Sequence, residues 1–170
     1  MGIDSTGFEI IKWLHILCAI IGFGGVLLNG VYGAKASKRT PIEALAVTEV
    51  NFQVSEIAQY FIYATILLGF GVVGASGVPG QSDHLFSFSQ TWVWLALTLA
   101  VVGVGISHGL LRPRVKALIA TQREIVTAGS PSPEQIATVK ARGAAIAPVA
   151  MVLDLIFVAI LLLMVFKWGR

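Results

Sequence analysis

Three titratable side chains stand inside apolar stretches of this chain: His15 in KWLHILCAIIGFGG, His108 in GISHG and Asp154 in MVLDLIF. An ionisable group at membrane depth costs free energy unless something partners it, so each is a candidate for chemistry. A histidine ring nitrogen can ligate haem iron or a metal, carry a proton, or bond a neighbouring helix. A membrane carboxyl either titrates against a water path, as in pumps and transporters, or stays protonated and hydrogen-bonded. Which of these applies depends on the helices that carry the three residues.

Of 170 residues, 56% are hydrophobic and only 12% charged, against about 25% charged in soluble domains. Mean hydropathy is +0.82. Four apolar runs, Phe8–Ala34, Ile57–Ser76, Thr91–Leu111 and Ala144–Phe166, each approach or exceed the ~20 residues a helix needs to cross ~30 Å of hydrocarbon. The expectation is an all-α integral membrane four-helix bundle, one transmembrane domain over residues 1–170. The first run is too long for a signal-peptide core and has Glu9 and Lys12 at its start, so it is read as a retained helix. The single Cys18 lies within it as a small apolar residue, which leaves no disulfide or cysteine cluster to be built within the chain.

Lysines and arginines are unevenly shared among the loops. Lys35, Lys38 and Arg39 follow the first run, and Arg112, Arg114, Lys116, Arg123, Lys140 and Arg142 lie between the third and fourth. Lys12, Lys167 and Arg170 fall at the other end, which by the positive-inside rule puts both termini outside and the basic loops in the cytoplasm. Trp13, Trp92, Trp94 and Trp168 then all fall at the outer boundary, where interfacial tryptophans belong. Beyond Leu111, Val115, Leu118, Ile119 and Ile125 keep helical spacing until Ala128-Gly129-Ser130-Pro131. Ser132-Pro133-Glu134-Gln135 then restarts a helix with a capping box and a proline at the first position. The third and fourth helices therefore extend into the cytoplasm as a basic hairpin. Its charge serves topology on a solvated face, and its sharper reading is a surface for anionic lipid or a partner.

Depth tests whether the histidines cooperate. His15 lies roughly 8 Å below the outer boundary and His108 roughly 26 Å, counted at ~1.5 Å per residue. One haem or metal cannot bridge that gap. A second ligand at matching depth would be His84 or Met164 for His15, and Met151 for His108. His108 lies between Gly105 and Gly109, a small-xxx-small pair, and reads as interhelical glue. Asp154, near the bilayer midplane, has no cation at its depth; a protonated carboxyl bonded to Asn29 or Thr65 is expected. Gly22, Gly24, Gly25, Gly105 and Gly109 read as helix-packing positions, within the bundle or toward another subunit.

Leu14-His15 with Gly24-Gly25, Leu111-Arg112-Pro113-Arg114-Val115 after the third-helix tryptophan, and Leu163-Met164-Val165-Phe166-Lys167 together resemble a bacterial family of four-helix integral membrane proteins of unknown function. The resemblance runs over the whole chain and implies the fold and little about activity; Trp168 stands where the family pattern has proline. The expected location is the bacterial inner membrane. More distantly, Lys12-Trp13-Leu14-His15 is similar to the first helix of four-helix membrane protoporphyrinogen oxidases and copper-resistance membrane proteins. That likeness implies haem b on His15. The oxidases carry a lysine early in the third helix, whereas Trp92–Leu97 holds none.

Three functions remain open. The first is a non-catalytic accessory or assembly subunit, bound to the lipid bilayer and to other membrane subunits or to itself, with no role for nucleic acid. The second is a b-type haem redox protein with His15 as axial ligand, and the third a proton-linked small transporter using Asp154. The first needs no unexplained chemistry, and an enzyme is not the leading expectation.

Overall fold

A computed structural model describes residues 2–80 and 84–168. Arg170 and residues 81–83 of the outer loop lie outside that range. The chain is all helical apart from two isolated bridges, among the described residues. Helix α1 is Thr6–Leu27, α2 Asn29–Ala36, α3 Pro41–Gly74, α4 Thr91–Ile106, α5 Arg112–Ala128 and α6 Pro133–Phe166; a π-helical turn, Ser107–Leu111, joins α4 to α5. These form four rods long and apolar enough to cross a membrane: Thr6–Ala36, Pro41–Gly74, Thr91–Ala128 and Pro133–Phe166.

Each rod is longer than its apolar run. The second starts at Pro41 rather than near Ile57, because Thr40 and Glu43 form a reciprocal capping box with proline at the first position. Glu49 and Glu56 hide this amphipathic start from a hydropathy reading. The first rod, expected to be continuous, breaks at Leu28 (φ −88°, ψ 2°). The Ser132 box forms as expected: Gln135 N–H donates to the Ser132 hydroxyl (3.1 Å), and Ser132 N–H to Gln135 Oε1 (2.9 Å).

The rods pair as two antiparallel hairpins, α1 on α3 and α4 on α6, and both termini lie at one end. At that end Val73, Trp92, Val93, Ala96, Ile160 and Leu163 form a buried cluster that joins the hairpins. Trp92 is thus packed into the bundle end, 8% exposed, rather than turned out to lipid; it donates its indole N–H to Gln90 Oε1 (3.0 Å). The other three tryptophans are more than half exposed, as interfacial anchors should be. The fully buried Ser76 hydroxyl has Val73 O (2.7 Å) and Phe86 O (2.9 Å) within reach of its single proton, and accepts from Phe86 N–H (3.0 Å). This pins the outer loop across the bundle end.

Midway, Phe23 stacks on Phe157 with ring centroids 4.2 Å apart. At the far end α3 packs against α5.

Candidate functional site

Helix α1 meets α3 through glycine. A Cβ on Gly22 would sit 2.9 Å from the Ile62 backbone nitrogen, and one on Gly25 2.8 Å from Ala58 Cβ, so only glycine permits this approach. Two turns outward the same contact receives His15. Its Nδ1 lies 2.9 Å from Thr65 O; a carbonyl only accepts, so Nδ1–H donates. A Cβ on Gly69 would come within 3.3 Å of His15 Cε1, so Gly69 makes the room for the imidazole.

The other face of α3 carries a polar ladder onto the third rod. Tyr63 Oη lies 2.8 Å from His108 Nε2, and His108 Nδ1 3.2 Å from Val104 O. With the carbonyl accepting from Nδ1–H, a neutral ring leaves Nε2 to accept the tyrosine proton. Ser107 donates to Gln59 Oε1 (3.2 Å), the Arg112 guanidinium binds the Glu56 carboxylate, and Arg123 Nε binds Glu49 Oε1 (2.6 Å). The π-turn helps present this row. Arg112 N–H reaches back five residues to Ser107 O, and Pro113 supplies no donor one residue later, so the helix is wider here and Ser107 and His108 both meet α3.

Of this row only His108 stands out in the sequence as a candidate functional residue. A signal was present: Glu49, Glu56 and Tyr63 are spaced by seven, which puts them on one helix face. Their partners, however, belong to another rod, and no local pattern names them.

The two histidines stay apart for a second reason besides depth. Their α3 contacts, Thr65 and Tyr63, are two residues and so about 200° apart around the axis, and the body of α3 stands between them. His108 acts as interhelical glue, as expected, but through Tyr63 rather than the flanking glycines.

Asp154 was expected to bond Asn29 or Thr65, and it bonds neither. Asn29 Oδ1 instead lies 3.1 Å from the Ser55 hydroxyl, whose single proton it shares with Asn51 O (2.8 Å), and Thr65 Oγ1 donates to Phe61 O (2.8 Å). Asp154 makes no hydrogen bond or ion pair among the described residues. It sits one turn from Phe157, on the side of α6 that turns toward the first rod at the Phe23 stack.

The glycine expectation divides. Gly22 and Gly25 pack inside the chain, whereas Gly24, Gly105 and Gly109 have nothing within 4 Å of a would-be Cβ. Gly103, two residues before Gly105, faces Ile156 of α6 (3.5 Å), so Gly105 points away from the fourth rod.

Residues 9–168, nearly the whole chain, match the family model described as predicted integral membrane protein (DUF2269). The chain belongs to that family. Neither the comparison with curated proteins nor that with solved structures found a match. Four rods long and apolar enough to cross a membrane agree with that description, and the match spans the stretches that carry the resemblance. The likeness to the oxidases rests on Lys12 and His15 alone.

Haem at His15 can be tested against the geometry. Donation of Nδ1–H to a carbonyl is how ligating histidines are commonly oriented. Yet α1 and α3 touch through Gly22 and Gly25, and the ring itself fills the space over Gly69, so these two helices leave no slot for a porphyrin. Met164 packs against the cluster of the third and fourth rods, Met151 is 64% exposed, and His84 bridges to Gly77 in the outer loop. No group of three His, Cys, Asp or Glu could hold a metal among the described residues. The residues around His15 do not fit a haem held between the first two rods.

Proposed function

We propose that this protein is a non-catalytic subunit of a larger assembly in the bacterial inner membrane, with both termini outside and the basic hairpin in the cytoplasm. Asp154 carries the reading. It lies about 18 Å along α6 from Phe166, near the midplane, where a carboxyl without a partner is costly. Its own chain supplies no partner among the described residues. A donor or cation on a neighbouring transmembrane helix removes that cost; Gly105 and Gly109, which meet nothing on their own face of the third rod, leave a second smooth surface open to another helix.

His15 and His108 support the reading differently: both are already engaged in bonds between this chain's own rods. The asymmetry of charge supports the orientation, with nine lysines and arginines at the hairpin end.

The experiment is affinity purification of the tagged full chain from its own membranes in mild detergent, with particle mass measured for wild type and for Asp154→Leu. The expected particle is larger than one chain, and Asp154→Leu reduces it to a single chain. That single chain should itself be more stable than the dissociated wild type by about 1–3 kcal/mol, because leucine replaces an unpaired carboxyl in hydrocarbon. Wild type running as one chain under these conditions overturns the proposal.

A further inference from the structure

The ladder between α3 and α5 has one rung without an acid. Along α5, Arg112, Lys116, Ile119 and Arg123 share the face turned to α3. Arg112 meets Glu56 and Arg123 meets Glu49, but Lys116, between them, stands opposite Phe52 and Gln53. These residues line an open groove of about 330 Å³. Neither Lys116 nor Gln53 has a hydrogen-bond or ion-pair partner among the described residues. Arg123 holds Glu49 through Nε, which leaves both terminal guanidinium nitrogens to donate elsewhere.

The groove therefore combines an apolar floor, Phe52 and Ile119, with three donor side chains and a net charge of one positive unit. Its depth is informative. Lys116 lies roughly 37 Å along the third rod from Thr91, some 7 Å past a ~30 Å hydrocarbon layer, which is the level of the headgroups.

We propose that this groove binds one anionic glycerophospholipid of the adjoining leaflet, with the phosphodiester on Lys116, Gln53 and Arg123 and the start of an acyl chain against Phe52 and Ile119. A phosphate at that depth supplies the negative charge the rung lacks, and charge-assisted bonds from an ammonium and a guanidinium are the strong class of such contacts. Glu49, already held by Arg123, has no charge to spare for an ammonium headgroup, which selects a lipid with net negative charge. The site is independent of Asp154, so loss of assembly leaves this inference standing.

The test uses the delipidated full chain in mild detergent, titrated with phosphatidylglycerol, phosphatidylcholine and inorganic phosphate and read by native mass spectrometry. One phosphatidylglycerol should bind roughly five- to tenfold more tightly than phosphatidylcholine, since each cation near a membrane surface adds about a factor of five. Lys116→Gln should remove most of that preference with the melting temperature unchanged, because Lys116 has no partner among the described residues. Lys140→Gln, on the same hairpin outside the groove, should leave it intact. Equal binding of the two lipids, an equal loss in both variants, or inorganic phosphate binding as tightly as the lipid would each overturn the assignment.

Discussion

The two faces of α3 are built on opposite chemistries. Toward α1 the contact is apolar and close, set by Gly22 and Gly25 against Ala58 and Ile62, with His15 as its single side-chain bond across among the described residues. Toward the third rod it is a row of polar pairs from Tyr63–His108 to Glu49–Arg123. Lipid tails are as apolar as leucine, so helices in hydrocarbon gain little from hydrophobic burial and associate by close packing or by hydrogen bonds. Glycine serves where the rods run together in the hydrocarbon; ion pairs serve where the rod leaves it and water moderates the cost of charge. The first face is a steric lock and the second an electrostatic seam.

Adding bulk to the lock should do the most damage. Gly22→Leu collides with the Ile62 backbone and is expected to destabilise the bundle by about 3 kcal/mol, seen as a much lower detergent melting temperature. Gly24→Leu, where a Cβ meets nothing, should change that temperature little. Equal effects from the two would break the idea of a steric lock.

Next comes the inner pair. Arg112→Gln leaves the Glu56 carboxylate uncompensated and should cost about 1–2 kcal/mol, discounted because both side chains are over a third exposed. Arg112→Gln with Glu56→Gln should recover most of the loss in a double-mutant cycle. Without recovery, the pair is not the unit of the seam.

His15→Phe keeps the ring volume over Gly69 and removes the bond to Thr65 O; about 0.5–1.5 kcal/mol is expected. Wild-type protein made in haem-replete cells should show no Soret band; a band that vanishes in His15→Phe would replace the structural role with a redox one. The smallest effect belongs to the outermost rung. Glu49→Gln should cost about 0–1 kcal/mol and lose even that in high salt, because Arg123 is largely exposed.

Legibility in the sequence follows the same division. The four rods, the capping box at Ser132 and the packing of Gly22 and Gly25 depend on local composition and spacing, so they could be read directly. The early start of α3 at Pro41 was missed because Glu49 and Glu56 depress hydropathy, although Thr40-Pro41-x-Glu43 carries the capping signal. The ladder was missed because its rungs join residues 45 to 74 positions apart, and spacing within one helix says nothing about the helix across from it. Trp92 was misplaced for a similar reason: an indole at a membrane boundary and one inside a bundle end look alike until Val73, Phe86 and Leu163 are seen around it. Asp154 is the reverse case. Its cost was visible in the sequence, but Asn29 and Thr65, the partners expected for it, bond Ser55 and Phe61 instead.

The assembly stands or falls on that unpaired carboxyl. The direct measurement is photo-crosslinking in native membranes from an unnatural amino acid at Leu155, exposed beside Asp154, with Leu67 on the second rod, still more exposed, as the control position. A discrete crosslink to a second polypeptide is expected from position 155, lost when Asp154→Leu is introduced, and none from position 67. Lipid adducts alone from both positions would contradict it.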